Sequence, residues 1–280
     1  MKQTAITWNQ NLNLTAYSEV ESPSNYSTPE KLENYRRLLL EKSGSAAQCV
    51  KDAMYNGSRL KVLEICSGSS RLLYALERMD LLDKGYGVEV SPSRHQFAEN
   101  WKASLGTTRV HNIQCSADDY HFSHTGFDLV IMIDGALSYL YPCDPELPGR
   151  ILRRAHQCLA RGGKLLLEFD VLSQEQFNAM KRDGYIRVWW KGDEKDAFRY
   201  ALYQTEPMSW EHLVVQHTST YLSRTTAGEK VKRELYKYYG VEELNALLNE
   251  IGFSAQHYAT FALEPYTPQA CSLITLAVKR

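Results

Sequence analysis

No run of about 18 apolar residues, the length a membrane-spanning helix needs, occurs in this 280-residue chain. The opening residues, MKQTAITWNQNLNL, lack an apolar core of signal-peptide length. Paired cysteine spacing is also missing. Cys49, Cys66, Cys115, Cys143, Cys158 and Cys271 stand apart with no Cys-x-x-Cys, which points to free thiols in a reducing compartment rather than a disulfide framework or a zinc site. No metal is expected. Charge of one sign is absent as well: 32 Lys and Arg against 33 Asp and Glu leave a formal net charge of -1, which argues against a surface built to hold a polyanion. There is neither an internal repeat nor a low-complexity segment. These absences lead to the expectation of a soluble, cytoplasmic globular protein, monomer or homodimer, with no membrane or nucleic-acid partner.

What is present is a change of period along the chain. Residues 1–57 read as a polar, aromatic arm followed by helix. Thr28-Pro29-Glu30 supplies an N-cap, a proline at the first helical position and an early acid. Leu32, Tyr35, Leu38 and Leu39 follow at helical spacing, Ser43-Gly44-Ser45 is expected to break the helix, and a second helix runs to about Tyr55. Over residues 58–170, short apolar runs alternate with amphipathic helices. KVLEI (61–65), GYGVEV (85–90), a weaker run at 110–115, FDLVIMID (127–134) and KLLLEF (164–169) are predicted strands, the last entered through a turn at Gly162-Gly163. Strand alternating with helix predicts an α/β fold, a Rossmann-like, doubly wound, mostly parallel sheet with helices on both faces. Ser173-Gln174-Glu175-Gln176 is a capping box opening a short helix that stops at Gly184. Residues 171–240 then carry Tyr, Trp, Val and Thr in alternating runs, read as an inserted antiparallel sheet over the substrate site. Residues 241–280 return to a helix and two strands that complete a seven-stranded core.

In an open parallel sheet, ligands bind beyond the carboxyl ends of the strands, where the strand order reverses. The first strand ends at Ile65, which puts Cys66-Ser67-Gly68-Ser69-Ser70 on that crevice, followed by a helix N-terminus with unpaired N–H groups. The second strand ends in Glu89, 25 residues after Glu64, where an acid can accept hydrogen bonds from both ribose hydroxyls of an adenosine. A dinucleotide fingerprint needs G-x-G-x-x-G to admit a pyrophosphate. This turn has one glycine, and a carboxylate, Glu64, just ahead of it. Such a carboxylate suits a cation, a sulfonium or an amino-acid ammonium, better than a pyrophosphate.

These segments resemble the class I S-adenosylmethionine (SAM)-dependent methyltransferases of small-molecule type. Val62-Leu63-Glu64-Ile65-Cys66-Ser67-Gly68 is similar to the family's first motif, around the methionine moiety, and Gly87-Val88-Glu89-Val90-Ser91 to the second, whose acid holds the ribose. Gln114-Cys115-Ser116-Ala117-Asp118-Asp119 resembles the segment beside the adenine. The family often has an aspartate where this chain has Ser116, which leaves the adenine contact open between Ser116, Asp118 and the backbone of Ala117. Phe127-Asp128-Leu129-Val130-Ile131 through Asp134-Gly135-Ala136 resembles the fourth-strand motif, beside the methyl group and the substrate, and Leu159-Ala160-Arg161-Gly162-Gly163-Lys164-Leu165 resembles the turn into strand five. The resemblance implies S-adenosylmethionine as cofactor and S-adenosylhomocysteine as product, with Glu64, Cys66, Gly68, Glu89, Ser116, Ala117, Asp118 and Asp134 around it.

Methyl transfer from a sulfonium relies on alignment of the acceptor, so no catalytic triad is required. Where a base is used, histidine suits neutral pH. His212 and His217 lie five residues apart, which in a strand puts them on opposite faces, and His217 is the preferred base, against a surface histidine. His156 reads as structural, and His121 and His124 as loop residues. Tyr139, as a weaker catalytic candidate, and Tyr141 follow the fourth strand at the substrate opening. Glu168 is placed to hold a substrate ammonium or hydroxyl, or to pair with an arginine. Of Trp189 and Trp190, on opposite faces of a strand, one is expected to pack in the core and the other to cover the ligand; Trp189 is taken as the substrate contact. Tyr17, Tyr26 and Tyr35 are lid candidates, Tyr26 being taken as a substrate contact, with ordinary packing as the alternative. The inserted sheet resembles that of enzymes methylating amines of amino acids or amino sugars, which implies N-methylation of a small molecule first and O-methylation second. An RNA- or protein-modifying methyltransferase is the alternative, supported only by the basic stretch Lys230-Val231-Lys232-Arg233 with Lys237. A non-catalytic SAM-binding partner is the other.

Overall fold

The computed structural model describes residues 28–121, 124–192, 198–223 and 229–280. Tyr17 and Tyr26, read as lid residues, lie outside them. In chain order the chain forms α1 (Pro29–Met54), β1 (Leu60–Ile65), α2 (Arg71–Arg78), β2 (Leu82–Glu89), α3 (Pro92–Leu105), β3 (Val110–Gln114), β4 (Phe127–Met132), α4 (Ala136–Leu140), α5 (Leu147–Cys158) and β5 (Leu159–Asp170). Then come α6 (Gln174–Asp183), β6 (Ile186–Lys191), β7 (Phe198–Ser209), β8 (Val214–Ser223), β9 (Glu229–Lys237), α7 (Val241–Ile251), β10 (Phe253–Tyr258) and β11 (Ser272–Lys279). Seven strands pair in the order β10-β11-β5-β4-β1-β2-β3. Those from β3 to β5 run parallel, while β11 pairs antiparallel with both β5 and β10. The α/β, doubly wound sheet expected from the alternation is therefore present.

Both faces of this sheet are covered, as buried parallel strands require. On one face, Leu39 and Val50 of α1, Leu72 and Leu76 of α2, and Phe97 and Trp101 of α3 pack against Val62, Leu129 and Ile131. On the other, Ile151 and Leu152 of α5 with Leu244 and Leu248 of α7 meet Leu63, Val130 and Leu165. Alternate residues of one strand thus feed two cores, and each fully buried Leu or Ile contributes about 1.5–3 kcal/mol. The shared register Glu64↔Gly87 and Glu64↔Ile131 brings the carboxyl ends of β1, β2 and β4 level, and this builds the crevice.

Two local expectations need correction. The Ser43-Gly44-Ser45 stretch does not break α1, which runs as one helix from Pro29 to Met54, capped by the Thr28 hydroxyl on Lys31 N at 3.2 Å. Ser43 is buried and donates back to Leu39 O at 2.9 Å. A helical glycine costs about 1 kcal/mol relative to alanine, which the buried Leu39, Ala46, Ala47 and Val50 outweigh. The second correction concerns Gly162-Gly163. These residues lie within β5, in a bulge that carries its pairing from Phe127↔Leu159 to Leu129↔Lys164.

The inserted antiparallel sheet is present as β6-β7-β8-β9. Val215 and Tyr236 at its base form a small core with Met180 of α6, whose capping box of Ser173 and Gln176 is formed as expected. Trp189 and Trp190 do lie on opposite faces, but at 63% and 46% exposure neither packs in the core. His212 falls in the turn before β8, so strand alternation does not relate it to His217. No helix among the described residues is long and apolar enough to cross a membrane.

Candidate functional site

The turn after β1 holds three residues in the left-handed region, Cys66 (φ 58°), Gly68 (φ 56°) and Ser70 (φ 57°). Glycine adopts this conformation without cost, whereas other residues lose about 1–2 kcal/mol in it. Cys66 and Ser70 are held there by their surroundings. Ser67 N donates to Val88 O at 2.9 Å, Ser70 N to Ser67 O at 2.8 Å, and the Ser70 hydroxyl to Asn112 Oδ1 at 2.7 Å. The turn also presses onto β2. A Cβ at Gly87 would stand 2.5 Å from Ser70 Oγ and 2.8 Å from Ser67 Oγ, so only glycine fits there.

Glu89, at the end of β2, closes the turn. Its Oε2 accepts from Gly68 N at 2.8 Å and its Oε1 from Ser91 N at 2.7 Å. One carboxylate thereby ties the β1 turn to the start of α3, whose N-cap is Ser91. Glu64 is the opposite case. It is 3% exposed, and its Oε2 has no hydrogen-bond partner. Burial pushes its carboxyl up to about 8, against the opposing pull of Arg71 and Arg94, while Asp134 and Glu89 push the same way as burial.

Beyond β4 the chain turns through Asp134 (φ 55°) into α4. Arg71, the first residue of α2, grips both Asp134 oxygens at 2.7 Å and donates to Ser43 Oγ at 2.8 Å, linking α1 to the site. Glu168 Oε2 accepts from Asp134 N at 2.9 Å, and burial pushes its carboxyl up to about 6. On α4, the Tyr139 hydroxyl donates to Glu234 Oε1 of β9 at 3.1 Å, and Lys232 pairs with Glu234 at 2.6 Å.

A cavity of about 540 Å³ opens among these groups. Of the residues singled out from sequence, Glu64, Cys66, Gly68, Glu89, Asp134 and Tyr139 form its wall together. Glu168 stands one step behind, reaching it through the Asp134 backbone. Burial raises the Cys66 thiol far above its ordinary range, which leaves it a neutral wall group.

The remaining candidates lie elsewhere. Asp118 pairs with Arg150 at 2.9 Å and Arg154 at 3.4 Å, and with His121 it lines a separate cavity of about 430 Å³. Ala117 is buried in the core, and Ser116 caps its own turn by accepting from Asp118 N at 3.1 Å. Trp189 is exposed on the inserted sheet. His217 is off the cavity wall: its Nδ1 shares a 2.8 Å hydrogen bond with Thr205 Oγ1, its ring packs 5.5 Å from Tyr236, and desolvation lowers its pKa below the ordinary imidazole value. Tyr141 faces the ammonium of Lys237 at 4.7 Å, Tyr35 packs edge-on against Phe97 at 5.7 Å, and His156 packs on Phe253 at 4.9 Å. Lys237 is 2% exposed and paired with Glu243 at 2.9 Å, so it is not part of an open basic patch.

Arg71, Arg94 and Glu234 were not singled out from sequence. The guanidinium of Arg94 lies over Gly68, so close that a Cβ there would be 2.8 Å from its Cζ. The two arginines did leave a signal. Each sits in the first turn of its helix, with no acidic residue in that turn, where the helix dipole disfavours a cation unless a specific partner holds it. Glu234 left none, since its contact to Tyr139 joins residues 95 positions apart.

Residues 62–163 match the family model described as "Methyltransferase domain". No curated protein matches the chain by sequence. Among solved structures, the CcbJ methyltransferase of Streptomyces caelestis superposes with a TM-score of 0.69 at 16% identity, over 85% of this chain and 90% of that one. An amino pentose methyltransferase of Micromonospora echinaspora, CalS10, determined with SAM bound, gives 0.62 at 15% identity over 91% and 98%. The sugar N-methyltransferase KedS8 of Streptoalloteichus sp. gives 0.58 at 18% identity over 85% and 87%. At such identities the likeness is one of fold.

Proposed function

We propose that this chain, with a methyltransferase domain at residues 62–163 and the fold of known methyltransferases, is a class I SAM-dependent methyltransferase that methylates a nitrogen of a small cationic or aromatic metabolite. The observation that carries the reading is Glu64 Oε2, a buried oxygen without a partner on the cavity wall. A buried carboxylate left alone is costly, and a cationic ligand removes that cost. S-adenosylmethionine fits this test, because it brings an ammonium and a sulfonium to a wall that also holds Glu89 and Asp134. Among the structures of similar fold, an amino pentose methyltransferase and a sugar N-methyltransferase support the choice of acceptor.

When bound, the cofactor supplies an activated methyl group. The chain's part is alignment and proton removal. Glu64 would hold the ammonium and Glu89 the ribose hydroxyls, each Glu89 oxygen keeping acceptor capacity beyond its one backbone N–H. Gly68 lets the backbone approach closely. Arg71 fixes Asp134 beside the reacting region. On the acceptor side, Tyr139 already donates to Glu234, so its oxygen is oriented to receive a proton from an acceptor amine and pass its own to Glu234. In this reading His217 helps hold the inserted sheet, and Trp189, Ser116, Ala117 and Asp118 take no direct part.

Tyr139→Phe is expected to lower kcat about a hundredfold with little change in cofactor affinity, the lower end of the range one general acid–base group contributes. His217→Ala is expected to leave the pH profile of kcat unchanged. A panel of amino sugars, amino acids and phenols, read by release of S-adenosylhomocysteine, tests both. Turnover confined to phenols would move the reading to O-methylation. A pH profile flattened by His217→Ala would return the base to that histidine.

A further inference from the structure

Among the described residues the inserted sheet has two edge strands, β6 and β9, of which β9 exposes mostly charged side chains (Glu229, Lys230, Arg233) and β6 large apolar ones. Among the described residues no strand lies beyond β6, and five of the six residues of β6 are exposed. On and beside it stand Val188 (55% exposed), Trp189 (63%), Trp190 (46%), Tyr200 (42%) and Tyr203 (38%). An open edge strand carrying large apolar side chains on both faces is the surface that proteins ordinarily blunt or pair. Lys and Arg at its two ends, Arg187 and Lys191, do not cover the Val-Trp-Trp centre.

We propose that this edge is the two-fold interface of a homodimer, in which β6 pairs antiparallel with β6 of a second copy and joins the two inserted sheets into one of eight strands. Two features favour a second copy. The first is area. The five named side chains and Tyr185 expose on the order of 500–600 Å², and with the strand backbone this approaches the ~800 Å² per partner of a standard stable interface. The second is self-complementarity. A two-fold axis perpendicular to the sheet keeps each face with its own kind and centres the pairing on a single residue. Centring on Arg187 would set that cation against its own copy, and centring on Trp189 would set Arg187 against Lys191; like charges directly opposite destabilise a strand pair. Centring on Trp190 leaves only residues 189–191 of β6 paired.

Centring on Val188 avoids all three faults. It pairs residues 186–190, with Val188 on Val188 and Ile186 against Trp190 on one face. On the other face Arg187 meets the exposed ring of Trp189 across the interface, a cation–π pair made twice by symmetry. Arg187 already lies on that face, its guanidinium bonded to Gln204 Oε1 at 2.9 Å and stacked at 4.6 Å over the ring of Tyr185, so a second ring would take the other side of its plane. Tyr185 and Lys191 would face one another just outside the pair, a second aromatic–cation match.

Sedimentation of the full chain over about 1–100 µM tests the interface. The wild type is expected to sediment as a dimer, and Val188→Lys, which sets two cations face to face at the axis, as a monomer with unchanged melting and cofactor affinity, because Val188 is more than half exposed. In a Cys271→Ser background, which removes the exposed native thiol, Val188→Cys is expected to oxidise to a covalent dimer, whereas Lys191→Cys is not. A wild type that stays monomeric at 100 µM, or a dimer that survives Val188→Lys, overturns the proposal. So does cross-linking at position 191 but not at 188.

Discussion

Glu64→Gln is expected to weaken SAM binding about ten- to hundredfold at pH 8 and to remove most of its pH dependence. The substitution keeps the size of the side chain and deletes its charge, so the loss measures a buried charge-assisted hydrogen bond, about 1.5–3 kcal/mol. The pH dependence follows from the empty site. There Glu64 holds its proton to about pH 8 because it is buried, with Arg71 and Arg94 pulling its pKa down and Asp134 and Glu89 pushing it up. A cationic ligand requires the ionised form. Affinity in the wild type therefore rises toward pH 8, by up to about tenfold per unit, and levels off above it, with up to one proton released on binding below that pH. Calorimetry in buffers of different ionisation enthalpy reads both quantities. A wild-type affinity flat between pH 6 and 9 would contradict the assignment. The ligand-free protein behaves in the opposite sense. A folded-state pKa raised above the unfolded 4.5 gives stability that is complete below the unfolded value and lost as pH rises through 8. Wild type should thus lose more of its melting temperature than Glu64→Gln between pH 7 and 9.

Glu89→Ala is expected to cost more, about a hundredfold or beyond in cofactor affinity. Two effects combine at this side chain. Its oxygens hold Gly68 N and Ser91 N, so without them the β1 turn and the start of α3 lose a common anchor. The same carboxylate is the ribose acceptor in the proposed complex. Two charge-assisted hydrogen bonds amount to about 3–6 kcal/mol, part of which water can replace once the turn relaxes. The helix and strand content should be unchanged by circular dichroism, because the sheet's two cores do not depend on Glu89. Affinity within threefold of wild type would remove Glu89 from the cofactor site.

The two glutamates were legible in the sequence because local rules govern them. Glu89 ends β2 and Glu64 stands one residue before the end of β1, and parallel pairing brings strand ends level. The left-handed turn was partly legible: Gly68 marked one such position, while Cys66 and Ser70 concealed the others because surrounding hydrogen bonds, not residue type, hold them there. Ser43-Gly44 misled for a related reason, since a buried hydroxyl satisfied within its own helix cannot be told from a breaker by composition. Asp118 was drawn to the adenine by its place after β3, but Arg150 and Arg154, on a helix some thirty residues later, capture it. His217 was preferred on chemical type, while the polar pair proposed for the acceptor side, Tyr139 with Glu234, depends on how the inserted sheet folds back onto α4. Tertiary contacts of that range have no local signature.

The most direct test of the account is to follow a labelled methyl group. The full chain is incubated with methyl-labelled S-adenosylmethionine and a cell extract, and label is measured in protein, RNA and low-mass fractions, with Glu89→Ala as control. The expected result is label in a low-mass, cation-exchange-retained product, absent from the control. Label confined to RNA or protein, or S-adenosylmethionine bound with no label transferred to any fraction, would contradict it.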